Sequence, residues 1–204
     1  MCYPKAWSHR QWILRTVNDT ALWSNELEHL DYLIKKDVRN NSAWNQRWFA
    51  THKGRSNKNP SLSIKIAKSE ADYAIQNTAL DPHNESPLRY LVALLREQQK
   101  QHKNKEIREG DDDDNNNNDM TLVSFLKYVE DEIEKLKQTL NKGNDCPSLI
   151  AAYIDVLEMK NDSISLLKGV DMAKDLGTKF DIVRKKYWLM KVGTLQNKAS
   201  KLNL

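Results

Sequence analysis

The chain has 204 residues, 29% of them charged, and its 32 basic and 28 acidic residues leave a formal net charge of only +4. This length suffices for one domain or a short array with a continuous core, and the small, evenly spread positive excess gives no reason to expect nucleic-acid binding. No stretch approaches the roughly 18 consecutive apolar residues of a membrane span, and the N-terminus lacks the apolar region of a secretory signal, so we expect a soluble, cytoplasmic protein.

The motif Ala-Trp-x-x-Arg occurs twice near the start of the chain. Trp7 and Arg10 precede Trp44 and Arg47 by 37 residues, in the same spacing. Residues three apart are neighbours on a helix, so each tryptophan should share a face with its arginine. We interpret each tryptophan as a packing anchor, with its arginine beside it and donating to loop carbonyls or a carboxylate. The alternative is that some of these side chains reach a ligand or partner.

The segment between the two copies predicts the first helix of a helical hairpin. Leu27, Leu30 and Ile34 lie on one stripe of a helix over residues 26–36. The connector DVRNN follows, and Ser42 is the predicted N-cap of the second helix. The repeating unit is therefore a helix, a short loop and a helix.

A degenerate copy of the second helix begins 44 residues later. In LDPHNESPLRYL, an aspartate, an asparagine and a serine recur in the spacing of DVRNNS, and Leu88 takes the tryptophan position. Ser86 is the predicted N-cap and Pro87 the first helical residue, where a missing N–H costs nothing. The first helix of this pair is marked by apolar residues upstream: Ile64, Ala67, Ala71, Ala74 and Ile75.

The rest of the chain predicts an insert and two more hairpins. Residues 100–119 end in runs of Asp and Asn that cannot bury apolar surface, which indicates a disordered insert. Residues 121–140 have apolar residues at near-ideal helical spacing, with Gly143 as the predicted stop, and 147–160 form the partner helix. The last pair is predicted over residues 162–176 and 181–197.

These elements predict an all-α fold, a right-handed α-α superhelix of stacked helical hairpins. We expect hairpin repeats over 1–99, the first of them partial, the insert over 100–119, and C-terminal hairpins over 120–204. Because the chain begins at the start of a second helix, we expect it to be the C-terminal part of a longer array.

The polar loops at the helix starts are the best candidates for contact with a partner. They present unpaired backbone N–H groups, and a stacked array would line them up along one edge. The candidate contact residues are Arg39, Asn40, Asn41, Asn45, His83, Asn84 and Glu85.

The sequence contains no recognisable catalytic or metal-binding motif. There is no Gly-rich phosphate loop and no nucleophile elbow. Cys2 and Cys146 are far apart and the five histidines are scattered, so no zinc site is predicted in this chain. The residues alone therefore indicate a helical-repeat interaction protein.

Several segments closely resemble the repeats of protein prenyltransferase α subunits. They are KAWSHRQW, LWSNELEHLDYLIKKDVRNNSAWNQRWF and LDPHNES, and DIVRKKYW resembles that subunit's C-terminal helix. The resemblance is nearest to the subunit shared by farnesyltransferase and type I geranylgeranyltransferase. Two alternatives are the α subunit of Rab geranylgeranyltransferase, whose loops differ, and a TPR-like peptide-binding scaffold, whose period of about 34 residues fits less well.

The resemblance implies a crescent of hairpins that wraps around a barrel-shaped β subunit. The complex would transfer a farnesyl or geranylgeranyl group from the prenyl diphosphate to the cysteine of C-terminal C-a-a-X motifs. The implied partners are the β subunit and, through the complex, C-a-a-X proteins and prenyl diphosphate. No cofactor is implied for this chain, because Zn²⁺ is held by the β subunit, with Mg²⁺ in the farnesyltransferase form.

One basic residue is the candidate for a catalytic contact. Where the family's repeat has Asn-Tyr-His-Ala-Trp, this chain has Tyr-Pro-Lys-Ala-Trp, so Pro4 replaces a tyrosine and Lys5 a histidine. The family's diphosphate-contacting lysine belongs to the preceding repeat. The resemblance therefore assigns the diphosphate contact in this chain to Lys5, and the alternative is an exposed terminal lysine.

Overall fold

The computed structural model describes residues 4–53, 62–109, 121–140 and 146–202. Within these ranges the chain forms nine α-helices and no strand, so the all-α prediction is confirmed. The chain divides into two compact units, Met1–Ser63 and Ile64–Leu204. No helix in the described ranges is both long and apolar enough to cross a membrane.

The first unit consists of three helices, α1 (Pro4–Val17), α2 (Thr20–Lys36) and α3 (Asn41–Lys53). The α3 helix packs against both α1 and α2. As predicted, a stripe on α2 and the tryptophan of α3 supply much of the core. The buried apolar side chains of this unit are Leu14, Trp23, Leu30, Ile34, Ala43, Trp44, Phe49, Ala50 and Leu62.

The second unit is a stack of three helix pairs. Its helices are α4 (Ile64–Leu80), α5 (Glu85–Glu109), α6 (Leu122–Thr139), α7 (Pro147–Lys160), α8 (Ser163–Asp175) and α9 (Lys185–Leu202). The α4 helix packs against α5 and α6, α7 packs against α5, α6 and α8, and α9 packs against α8. Each pair therefore packs on the next, as expected for stacked hairpins.

The apolar stripe of α6 is buried as the sequence predicted. Phe125, Val129 and Ile133 are fully buried, because their spacing brings them to one face of the helix. A second cluster joins α7, α8 and α9. The chain passes from α8 to α9 through a π-helical turn (Leu176–Phe180), which adds Leu176 to the cluster, and a 3-10 turn (Ile182–Arg184), which has no buried residue. The buried members of that cluster are Ile150, Ile154, Leu166, Val170, Ala173, Leu176, Trp188, Val192, Leu195 and Ala199.

The same two-residue turn joins one helix pair to the next at two places. Asn18 and Asn161 have φ of 49° and 55°, a left-handed conformation that asparagine tolerates better than most residues. Each is followed by an aspartate, Asp19 or Asp162, whose carboxylate accepts a backbone N–H bond at the start of the next helix. The Asn-Asp dipeptide therefore ends one helix and caps the next.

Three sequence predictions need correction or fall outside the described ranges. The predicted caps Ser42 and Ser86 lie inside their helices, because α3 begins at Asn41 and α5 at Glu85, and Pro87 is therefore the third residue of α5 and not the first. The α5 helix also continues to residue 109, so the first ten residues of the predicted insert are helical. Gly143 and residues 110–120 lie outside the described ranges.

Candidate functional site

The first helix start of interest is the turn before α3, which the motif tryptophan holds in place. The Trp44 ring is 2% exposed, and its Nε1 donates a hydrogen bond to the carbonyl of Val38 at 2.9 Å. Arg47, one turn further along α3, is also buried. The tryptophan thus joins the core of the unit to the loop that precedes its own helix.

Two polar side chains complete this turn. Asp37 Oδ1 accepts the backbone N–H of Arg39 at 3.0 Å, and Asn40 Oδ1 accepts that of Ala43 at 3.2 Å. The second bond makes Asn40 the N-cap of α3, since a cap side chain accepts from the second or third helical residue. Arg39 and Asn41 remain exposed on the outside of the turn.

The other motif arginine belongs to a buried polar network. Arg10 Nε and Nη2 both lie 2.6 Å from Glu26 Oε2, and Gln46 Nε2 donates to Glu26 Oε1 at 2.7 Å. Gln11 Nε2 donates to Gln46 Oε1 at 2.9 Å. Glu26 is only 3% exposed, so this network satisfies a buried charge and links α1, α2 and α3. The prediction that the arginine donates to a carboxylate is confirmed for Arg10.

The second helix start repeats the first. Asn84 Oδ1 accepts the backbone N–H of Ser86 at 3.0 Å, so Asn84 is the cap, as Asn40 is in the earlier turn. Leu88, at the tryptophan position, is 3% exposed. Asn84 itself is buried, whereas His83 beside it is exposed.

The turn before α9 is a third helix start of the same kind. It was not aligned with the other two from the sequence. Trp188 Nε1 donates to Asp181 Oδ2 at 2.7 Å, and Arg184 Nε donates to the same oxygen at 2.6 Å. The Trp188 ring is 2% exposed. It lies so close to Gly177 that a Cβ added there would meet Trp188 Cβ at 3.1 Å. Trp188 therefore connects the buried core to the turn before its own helix, as Trp44 does for α3.

Three helix starts of the second unit lie at one edge. Cys146 Sγ, just before α7, donates to the carbonyl of Pro82 at 2.7 Å. Arg184, before α9, lies 4.0 Å from Glu85 Oε1 at the start of α5. We call residues 81–85, Cys146 and 181–186 the helix-start edge. Burial raises the pKa of the Cys146 thiol, more than nearby backbone N–H groups lower it, so this cysteine is a buried neutral donor.

Comparisons with known proteins place the chain in a family. A model of the protein prenyltransferase alpha subunit repeat matches residues 23–53, which include most of α2, the turn after it and α3. The Dictyostelium discoideum protein farnesyltransferase/geranylgeranyltransferase type-1 subunit alpha is 30% identical over 182 residues, covering 89% of this chain and 48% of that relative. The chain belongs to the protein prenyltransferase α subunit family. The subunit of the same name from Arabidopsis thaliana is 39% identical over 77 residues, which are 37% of this chain and 22% of that relative.

The chain spans about half the length of the Dictyostelium relative.

The contact residues predicted for this family member differ in their exposure to solvent. Arg39, Asn41, Asn45 and His83 are exposed, Asn40 and Glu85 are half-buried, and Asn84 is buried as a cap. Their contact with a partner stays a prediction.

The other predicted site residues are Trp7 and Lys5. Trp7 is half-buried, in contrast to Trp44. Lys5 lies in the first turn of α1, but its side chain is outside the described residues. Glu26 and Gln46 were missed, because a buried polar pair 20 residues apart leaves no periodic pattern in a sequence.

Proposed function

We propose that this chain acts as the α subunit of a heterodimeric C-a-a-X protein prenyltransferase. The complex would transfer farnesyl or geranylgeranyl from the prenyl diphosphate to the cysteine of a C-terminal C-a-a-X motif, in the cytoplasm. The observation that carries the proposal is the 30% identity over 89% of this chain to a relative with that name.

The role of the chain in that complex would be mainly to hold the β subunit. The Trp44 hydrogen bond and the Asn40 cap order the turn that carries Arg39, and the Asn84 cap orders the turn that carries His83. Rigid display lowers the conformational entropy that a partner must overcome on binding. This favours a scaffold over a flexible peptide binder.

The metal chemistry would belong to the partner. Among the described residues, no three His, Cys, Asp or Glu side chains are grouped so that they could hold a metal ion. As the resemblance to the family implies, both Zn²⁺ and Mg²⁺ would be bound by the β subunit. The Zn²⁺ there would keep the substrate thiol deprotonated.

Lys5 would be the contribution of this chain to the diphosphate site. It lies in the first turn of α1, and a cation there could stabilise the negative charge that develops on the departing diphosphate. Lys5→Ala in the complex should lower turnover, with Lys53→Ala, at the exposed end of α3, as the control. Equal turnover of the two variants would show that Lys5 is an exposed terminal lysine that does not contact the diphosphate.

Transfer of labelled farnesyl or geranylgeranyl to a C-a-a-X peptide tests the proposal. The assay compares this chain alone, the prenyltransferase β subunit from the same organism alone, and the two together. We expect product only from the combination. Transfer by this chain alone would contradict the subunit role, and no gain from adding it to the β subunit would contradict the proposed function.

A further inference from the structure

We propose that Ile182 and Val183, in the 3-10 turn before α9, are an apolar anchor for a partner protein. The inference rests on the proposed function, in which that partner is the β subunit. The β subunit would cover this pair with an apolar pocket bordered by carboxylates.

The turns before α3, α5 and α9 share one register. Asp181 precedes the buried Trp188 by seven residues, as Asp37 precedes Trp44 and as the aspartate of the α5 turn precedes Leu88. All three large side chains at the end of this spacing are 2–3% exposed. Val183 therefore takes the position that Arg39 and His83 take in the other two turns, and all three of these positions are exposed.

The turn before α9 exposes an aliphatic pair that the fold does not bury. Ile182 is 62% exposed and Val183 is 99% exposed. The turn is held by polar bonds of Asp181 to Arg184 and Trp188, and not by these two side chains. Along α9 the exposed Tyr187 and Met190 follow Val183 at helical spacing. Burial of such adjacent apolar surface by a partner would be favourable.

The turn before α9 lies next to the turn before α5. Arg184, next to Val183, lies 4.0 Å from Glu85, which follows the exposed His83 of the α5 turn. The aliphatic pair therefore adjoins the predicted polar contacts at the helix-start edge. An apolar centre with polar groups around it is the usual anatomy of a protein interface.

The charges around the pair select the kind of partner. Arg184, Lys185 and Lys186 directly follow the pair in sequence, and Arg89 forms an ion pair with Glu85, whose other carboxylate oxygen lies 4.0 Å from Arg184. Against the carboxylates of Asp181 and Glu85, these four basic groups leave an excess of two positive charges. A protein pocket with acidic groups at its rim would complement this pattern. The pair also adjoins the predicted protein contacts His83 and Glu85 at the same edge, and this continuity favours a protein partner over a membrane.

The test uses the double variant Ile182→Ser/Val183→Ser and a matched control. Ile164→Ser is the control, because Ile164 is an aliphatic residue that is 81% exposed. It lies where α7 ends and α8 begins, about 20 Å from the helix-start edge along α7. Calorimetric titration of each chain with the β subunit should give a Kd raised about tenfold or more for the double variant, and less than about twofold for Ile164→Ser. Thermal melts of all three chains should agree.

The outcomes are distinct. If the parent chain does not bind the β subunit, the proposed function fails and the anchor loses its occupant. If the parent binds and the double variant binds equally well, only the anchor is overturned. Two further outcomes would also overturn the proposal, in each case with β binding unchanged in the double variant. If the double variant no longer sediments with phosphatidylserine vesicles as the parent does, the pair binds a membrane. If the double variant loses self-association that the parent shows, the pair binds a second copy of the chain.

Discussion

The carboxylate of Asp181 holds Trp188 in its buried position, seven residues along the chain. The Nε1–Oδ2 distance is 2.7 Å, and the Asp181 side chain is 11% exposed. Asp181→Ala would leave a buried indole N–H without an acceptor, at a cost of about 1–3 kcal/mol. Urea unfolding followed by circular dichroism should show that loss for Asp181→Ala and a smaller one for Asp181→Asn, which keeps an oxygen. A loss no greater than that of the exposed Asp175→Ala would contradict the structural role of this bond.

Trp44 should be the most important single side chain of the first unit. It is 2% exposed and its indole N–H is bonded to the loop carbonyl of Val38. Trp44→Ala should therefore lower the free energy of unfolding by about 3–5 kcal/mol, as for other buried aromatic residues. Trp12→Ala is the control, because that ring is 60% exposed, and it should change stability by less than about 0.5 kcal/mol. Similar shifts of the two thermal melts would refute the prediction.

The ion pairs between α7 and α9 predict how the second unit responds to acid. Lys191 Nζ lies 2.6 Å from Glu158 Oε2, and Lys198 Nζ lies 2.8 Å from Glu158 Oε1. Burial acts to raise the pKa of Glu158, but the hydrogen bonds from both lysines outweigh it and lower the pKa from its usual 4.5. The stabilising contribution is therefore present above pH 4.5 and is lost as the pH falls through the lower pKa of the folded state.

Glu158→Gln should lower stability at pH 7 and make the fall in melting temperature below about pH 4.5 shallower. Asp131→Asn is the control, since its pair with Lys127 is exposed and such surface pairs contribute little. An acid limb equally steep in the parent and in Glu158→Gln would show that other groups govern the response.

The Asp/Asn run should be dispensable. Residues 111–118 contain no apolar side chain, and the entropy of closing a loop depends only weakly on its length. Deletion of these eight residues should leave the melting temperature nearly unchanged and the affinity for the β subunit within about twofold of the parent value. A marked loss of affinity would identify the run as a docking element.

The α6 and α7 helices could be predicted from the sequence nearly to the residue, whereas α2 begins six residues before the predicted residue 26 and α9 spans Lys185–Leu202 in place of the predicted 181–197. The α7 range of 147–160 agrees with the structure, because its apolar run lies between a proline start and the Asn-Asp turn. The caps were harder. Serine and asparagine are similarly good N-caps, so propensity could not decide between Asn40 and Ser42.

Two other features escaped sequence reading for physical reasons. The polar segment after residue 100 is rich in Lys, Gln and Glu, which are good helix formers, so a lack of apolar residues did not end α5. The turn before α9 keeps the seven-residue spacing from Asp181 to Trp188 but replaces the polar loop residues with Ile182 and Val183. The seven-residue spacing was the signal that could have identified this turn as equivalent to the other two, but its aliphatic residues do not resemble their polar loops.

The most direct test of the subunit assignment is the formation of a defined complex. The chain would be co-expressed with the prenyltransferase β subunit from the same organism, and the product measured by size-exclusion chromatography with light scattering. We predict a single species with the mass of one copy of each chain. Separate elution of the two proteins, or capture of varied peptides in place of the β subunit, would contradict the account.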